Sequence, residues 1–260
     1  MRIFWIFLCS ILTLNTLAQN DTVNRIDSKN LKQGYWCKQY PNGKKAYEGW
    51  FKDNIPVGTF KRYTEKGDLK VVLNCKPDNT AWATFLMPNG TKIAEGKYIK
   101  QKKDSIWVYY NSKGDIAYTE IYQNGEKNGK SKQFYSNGQV YESAPYSNGK
   151  LNGTLVQFYR NGLNKSIVNF SNGVQHGEIK VFYTNGNLRI DGIYKDGLKD
   201  GEWKFYDNNG KLSNTIIYHE GIPENYNELL DAESKELDSL MQNAGKIQEP
   251  NIDQFLNSYH

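Results

Sequence analysis

A unit of about 24 residues recurs eight times along this chain, and a repeat of that kind constrains the fold more than any other feature. Each unit is centred on a glycine, and successive central glycines lie 24, 23, 24, 24, 24, 24 and 24 residues apart. They are Gly43, Gly67, Gly90, Gly114, Gly138, Gly162, Gly186 and Gly210. Six of them follow an asparagine, and Asn-Gly between apolar runs predicts a type I′ hairpin turn, whose two central residues both have positive φ.

Large side chains stand at fixed positions before the central glycines. Seven positions before them are Trp36, Phe60, Trp107, Leu155, Ile179 and Trp203, with Ser131 as the exception and Trp82 one residue out of step. Four positions before them are Tyr63, Tyr110, Phe134, Phe158, Phe182 and Tyr206. Since these two positions have opposite parity, either a bulge separates them or both faces of the strand carry large side chains.

A row of mostly aromatic residues follows the central glycines. Eight positions after them are Phe51, Cys75, Tyr98, Tyr122, Tyr146, Phe170, Tyr194 and Tyr218. Leu188, Ile190, Gly192 and Tyr194 stand at every second position after Gly186, which is the period of a strand. Further glycines eleven and fifteen positions after the centre predict a second tight turn and a short loop.

The unit is therefore a β-hairpin that buries its aromatic residues only when neighbouring units cover them. We predict an all-β repeat protein, an elongated single-layer antiparallel sheet of about eight stacked β-hairpins, over residues 34–223. About sixteen strands would extend roughly 75 Å at about 4.8 Å per strand, and so long a sheet must twist.

The pattern G-x-W-x-x-Y-x-x-N-G, followed by Y-x-x-G-x-x-x-G, resembles the MORN repeat in its bacterial variant, which occurs in YwqK-type antitoxins. The resemblance covers about Gly34 to Gly221 and is weaker between Asn74 and Ser105. In that stretch Asp78 and Gln101 replace turn glycines. The resemblance implies an antitoxin or immunity role, in which the protein neutralises a cognate toxin by occlusion.

The two ends of the chain differ from the array. Residues 1–18 have an early positive charge, an apolar run and small residues at their end, so we predict a signal peptide cleaved before Gln19. A membrane anchor or a lipoprotein signal at Cys9 are the alternatives. Export would make the protein periplasmic, cell-surface or secreted. Residues 19–33 are polar and predict a flexible lead-in.

The end of the chain, 224–260, has helical rather than strand periodicity. Leu229, Leu230, Leu237, Leu240 and Met241 predict a helix at about 224–243. We interpret it as a cap on the open edge of the array, with a partner-binding helix as the alternative.

Charge is distributed unevenly along the chain. Residues 224–260 carry eight acids and two bases, a net charge of −6, which leaves +10 on the array once Arg2 is removed with the signal peptide. The tail could dock on the sheet and compensate its charge, which we favour, or the sheet could meet an acidic partner.

No reactive constellation is apparent in the sequence. His176, His219 and His260 do not have the spacing of metal ligands. We do not expect Glu120 and Glu142 to form a catalytic pair. We expect no carboxylate to lie beside another on the apolar side of the sheet. Cys37 and Cys75 are predicted to be about 14 Å apart, too far for a disulfide, whose Cα atoms lie within about 7 Å. We therefore predict no enzyme activity, no metal and no cofactor.

These observations favour a non-catalytic exported scaffold. We expect it to bind a protein partner through its aromatic and lysine-rich sheet face, and we expect no nucleic acid partner. The alternative is binding of the basic array to anionic lipid or glycan at the envelope surface.

Overall fold

One open antiparallel sheet makes up almost all of the protein that the computed structural model describes, which comprises residues 23–224, 234, 237–239 and 241–242. The strands are β1 (Arg25–Ile26), β2 (Lys32–Gln39), β3 (Lys45–Lys52), β4 (Ile55–Tyr63), β5 (Leu69–Cys75), β6 (Thr80–Leu86), β7 (Lys92–Ile99), β8 (Lys102–Tyr110), β9 (Ile116–Gln123), β10 (Glu126–Lys127), β11 (Gly129–Phe134), β12 (Val140–Ser147), β13 (Lys150–Leu151), β14 (Gly153–Phe158), β15 (Asn164–Ser171), β16 (Val174–Phe182), β17 (Leu188–Lys195), β18 (Leu198–Tyr206), β19 (Leu212–His219) and β20 (Ile222–Pro223).

The strands follow one another as a meander of stacked hairpins. Strands β10 and β11 both pair with β9, and β13 and β14 both pair with β12, so each of these couples is one interrupted strand. Sixteen strands have six to nine residues, whereas β1, β10, β13 and β20 have two. The predicted all-β repeat fold is confirmed.

The turns at the central glycines are not of the predicted type I′. The Gly186 amide donates to the Tyr183 carbonyl at 2.9 Å, and Gly186 has a φ of +90° whereas Asn185 is not in the positive-φ region. This is the three-residue loop in which a turn is followed by a left-handed glycine. A register shift opposite Phe205 and Tyr206, repeated at the same place in every unit, leaves one extra residue, here Ser213, in the strand after the turn.

The type I′ pattern occurs instead at the second turn of the unit. Asn172 and Gly173 both have positive φ, 52° and 90°, as do the residues at the same position in six of the seven other units, the exception being Pro77 and Asp78. All eight central glycines still have φ between 81° and 94°, so each occupies a conformation that other residues rarely adopt.

The sheet has one buried face and one solvent-facing side. We call the side that carries Trp107 and Trp203 the inner face, and the opposite side the outer face. Tyr122, Tyr194 and Tyr218 also lie buried on the inner face, whereas Trp36 and Tyr146 are half-buried. Trp82, the residue out of step with the repeat, lies exposed on the outer face. Large residues of opposite parity lie on opposite faces of one strand, as Trp107 on the inner face and Tyr110 on the outer face show, so both faces carry large side chains.

Side-chain sizes are complementary across neighbouring strands of the inner face. A Cβ on Gly192 would lie 2.4 Å from the Trp203 ring, and one on Gly96 would lie 2.3 Å from the Trp107 ring. Val168, which stands in its own unit where Gly192 stands in the next, is paired instead with the smaller Ile179. A small residue therefore accommodates each buried tryptophan.

Side chains of one unit also bond to the next unit. The hydroxyl of Tyr183 donates to the Tyr206 carbonyl at 2.8 Å, and the side-chain amide of Asn185 donates to the Asn208 carbonyl at 2.9 Å. Equivalent tyrosine bonds are made by Tyr40, Tyr135 and Tyr159. These bonds give the asparagine before the central glycine a physical role other than the predicted one of adopting positive φ.

The ends of the array differ in part from the predictions. Within the predicted flexible lead-in, Arg25 and Ile26 form β1 and pair with β2, and the side-chain amide of Asn24 donates to the Cys37 carbonyl at 3.0 Å. Hydrogen bonds of Asn24 and backbone pairing with β2 order this segment. Neither interaction gives a periodic pattern of apolar residues, which is the signal that predicts a strand from sequence. Residues 1–18 lie outside the described residues.

The described residues of the predicted C-terminal helix are helical and pack on the inner face. Leu237 and Met241 are buried in the cluster that contains Trp203, while β20 pairs with the last long strand, β19. The described part of the helix therefore covers a face of the sheet, whereas we had predicted a cap on its edge. Most of 224–243 lies outside the described residues.

Replacing Leu237 with alanine is expected to lower the free energy of unfolding by about 3 kcal/mol, because the side chain is fully buried against the sheet. The matched control is Ser239→Ala, at an exposed position of the same helix. Urea denaturation of both variants tests the prediction. Equal midpoints for the two would mean that the helix contributes no packing energy.

Candidate functional site

A band of polar side chains is buried in the middle of the inner face. Its members are Glu120, Ser131, Glu142, Gln157 and Ser166, all of which are buried. One apolar cluster, from Val71 to Tyr122, lies on one side of the band, and a second, from Ala144 to Met241, lies on the other. We call this set the polar band.

Glu120 is held by two side chains. The Tyr122 hydroxyl donates to Oε2 of Glu120 at 2.8 Å, and the Lys127 ammonium lies 2.6 Å from Oε1. The lysine contact is an ion pair whose geometry is poor for a hydrogen bond. Because the Glu120 side chain is fully buried, this ion pair compensates a charge that would be costly alone.

The second half of the band is a chain of hydrogen bonds from neutral side chains that ends on the carboxylate of Glu142. The Gln157 amide donates to Oε2 of Glu142 at 2.8 Å, and the Ser166 hydroxyl donates to Oε1 of Gln157 at 3.1 Å. Ser131 is fully buried, and its hydroxyl has no partner among the described residues.

The two carboxylates of the polar band share the inner face without lying beside each other. Glu120 on β9 and Glu142 on β12 both lie on the inner face, with the strand that carries Ser131 between them. The sequence already marks Glu120 as unusual, since Val168 and Ile216 occupy in other units the position that Glu120 has in its own.

The outer face presents large apolar side chains to solvent. Trp50 is 47% exposed and Trp82 is 45% exposed, at the end of the array where the repeat is least regular. Ile193 and Ile217 are exposed at the other end. Exposed tryptophans are frequent anchors of protein interfaces.

Glu48 is the centre of an outer-face network. It accepts hydrogen bonds from Lys45 at 2.7 Å, from Tyr35 at 2.6 Å and from Tyr63 at 2.5 Å. The bond from Lys45, followed by those from the two tyrosines, lowers the pKa of Glu48 to about 2. Burial and the same carboxylate raise the pKa of Tyr63 to about 12.

Glu95 repeats this arrangement two units later. Burial alone would raise its pKa, but hydrogen bonds from Tyr110 at 2.5 Å and Lys92 at 2.9 Å outweigh burial and lower it. The repetition indicates that such a network ties adjacent hairpins together, because Tyr63 and Tyr110 each belong to the hairpin that follows their carboxylate.

The Glu48 network predicts a pH dependence of stability. The pKa in the folded protein, about 2, lies below the ordinary value of 4.5, so the carboxylate stabilises the fold at neutral pH. That contribution, on the order of 2 kcal/mol in this partly solvated site, is lost as the pH falls from 4.5 towards 2. The check is to measure unfolding free energies of the wild type and Glu48→Gln across this range. A difference that does not shrink on acidification would contradict it.

The histidines and cysteines form no site among the described residues. His176 lies 3.2 Å from Asp196 at an exposed position, and His219 bonds to Glu224. Cys37 and Cys75 are free thiols. No group of three potential metal ligands occurs within residues 23–224 or the described helical residues. His260 lies outside the described residues.

A basic residue links the acidic tail to the array. Lys199 is buried on the inner face, bonds to Ser234 and lies 3.6 Å from Asp238. These contacts agree with the favoured interpretation of the charge asymmetry, in which the tail docks on the sheet.

Three segments of the chain match the model of the MORN repeat variant, namely residues 127–148, 175–196 and 199–220. Together they cover about a quarter of the chain, and each spans one unit of the array. The chain is therefore similar to MORN repeat proteins in these units. No curated protein matches it at a significant level. No helix among the described residues is long and apolar enough to cross a membrane.

Proposed function

We propose that the protein is a non-catalytic, exported repeat scaffold that binds a partner protein through the outer face. The observation that carries this proposal is the exposure of Trp50 and Trp82 on a sheet whose inner face is buried. Both rings leave water only when a partner covers them. Lys97, which pairs with Trp82 across neighbouring strands, adds a positive charge beside this anchor.

The similarity to MORN repeats supports a scaffold role. The resemblance to YwqK-type antitoxins suggests the finer proposal that the partner is a toxin, which the scaffold neutralises by covering its active surface. Export through residues 1–18 would place such a toxin in the envelope or outside the cell.

The test is a pull-down with residues 19–260 from envelope and secreted fractions, at low and at high salt. A single protein that stays bound at high salt, and is lost with the variant Trp50→Ser/Trp82→Ser, supports the proposal. The matched control is Ile193→Ser/Ile217→Ser, at exposed positions at the other end of the outer face.

Two results would overturn the proposal. Equal retention of the partner by the tryptophan variant would exclude the outer-face anchors. Recovery of lipid or polyanion alone, lost at high salt, would indicate surface binding by the basic array, since exposed charge interactions are screened by salt.

A further inference from the structure

A groove opens on the inner face above β4 to β7 and has a volume of about 580 Å³. It lies beside the apolar cluster of Trp107 and faces the solvent, since its lining residues are half-buried or exposed. It is lined by Ile55, Pro56, Leu73, Cys75, Lys76, Asn79, Thr80, Ala81, Tyr98, Lys100 and Gln101.

The groove exists because one ring of the repeat is missing. Cys75 stands where the other units have a tyrosine or phenylalanine, and its pairing partners Gly58 and Ala81 are small. The nearest rings of the row are Phe51 on β3 and Tyr98 on β7. They are four strand spacings or about 19 Å apart, whereas neighbouring rings elsewhere are two spacings apart.

The groove combines an apolar floor with a cationic rim. Leu73, Cys75 and Ala81 form the floor, and burial raises the pKa of Cys75, which keeps the thiol neutral. Lys76 and Lys100 are the charged residues of the lining, which contains no carboxylate. Within residues 23–224 neither lysine lies in an ion pair.

The backbone around the groove disfavours a peptide as its occupant. Strands β4 to β7 are each paired on both sides, so the sheet uses their backbone groups. A peptide would bury its own amide and carbonyl groups against an apolar floor with few partners, which is costly. A hydrocarbon chain carries no such groups.

We propose that this groove binds a single-chain anionic amphiphile of the fatty-acid class. Its hydrocarbon chain lies over Leu73, Cys75 and Ala81, and its carboxylate meets Lys76 and Lys100. Binding buries apolar surface that the missing ring leaves open, and the lysines select the anionic head group. The site lies on the opposite face of the sheet from Trp50 and Trp82, so it is independent of the proposed protein partner.

The test is calorimetric titration of the full chain with dodecanoate below its critical micelle concentration. We expect one bound molecule per chain, and a loss of affinity of about tenfold or more in Cys75→Tyr, which restores the ring of the other units. Ala81→Leu fills the same space by another route and should have the same effect. A melting temperature at or above that of the wild type shows that the variants are folded.

The head group is tested with dodecanol and dodecylammonium, which have the same chain. Dodecanoate should bind about tenfold more tightly than either, and Lys76→Gln/Lys100→Gln should remove this preference. Lys130→Gln/Lys132→Gln, at exposed outer-face positions, is the matched control and should keep it. Undiminished binding to folded Cys75→Tyr overturns the proposal, as does binding to anionic vesicles without binding to dodecanoate.

Discussion

Replacing Trp203 with alanine is expected to lower the free energy of unfolding by about 4 kcal/mol, because a large buried ring is lost. The ring is fully buried, meets Tyr194 and Tyr218 edge-on and donates its Nε1 hydrogen to the Ile193 carbonyl at 3.1 Å. Thermal and urea unfolding, followed by circular dichroism, measure the change.

The control is Ile217→Ala, an exposed outer-face residue of the adjoining strand, for which less than about 1 kcal/mol is expected. Gly192 provides a second test of the same contact. Gly192→Ala should destabilise by overpacking, because its Cβ would overlap the indole, and Trp203→Leu should relieve the overlap. An unchanged melting temperature in Trp203→Ala would contradict burial of the tryptophan.

Replacing Lys127 with methionine is expected to cost about 3 kcal/mol, because it leaves the fully buried carboxylate of Glu120 without its cation. The second change, Glu120→Val, should recover most of the loss, since it supplies the residue type found at the equivalent position, Val168. The unfolding free energies of both single variants and the double variant form the test.

An exposed lysine serves as the control for this cycle. Lys132→Met removes a charge from the outer face of the same interrupted strand, where the expected change is within about 0.5 kcal/mol. The ion pair is not the source of the stability if Glu120→Val fails to reduce the loss of unfolding free energy in Lys127→Met. In that case the lysine acts through packing of its aliphatic stem or through its contact with the Tyr146 ring, 5.2 Å away.

The turn glycines predicted the positions of the hairpins but not the type of the central turn. Their spacing predicted the hairpins and the sixteen longer strands. It did not predict that the turns at Gly186 and its equivalents contain an extra residue, because Asn-Gly is compatible with two loop types. The bulge at Ser213, opposite Phe205 and Tyr206, decides between them and results from the pairing of the two strands.

The sequence shows which residues of the polar band are polar, but it does not show that they are buried. Glu120 and Glu142 were found at strand positions of the right parity, and a repeat comparison would have marked them as unusual. Their burial depends on what covers the inner face, and no local pattern contains that information. The groove at Cys75 is a similar case, since the missing ring is apparent in the sequence while the open space is not.

By itself the sequence determined the repeat length, the strand order and the identity of the aromatic row, because all three depend on turn chemistry and on a period of two along each strand. Tertiary structure alone decided which face is buried, that Lys127 meets Glu120, and that Leu237 packs on the inner face. The physical reason is that burial and ion pairing depend on residues that are distant in the sequence. Lys199 and Ser234, for example, are in contact although they lie 35 residues apart.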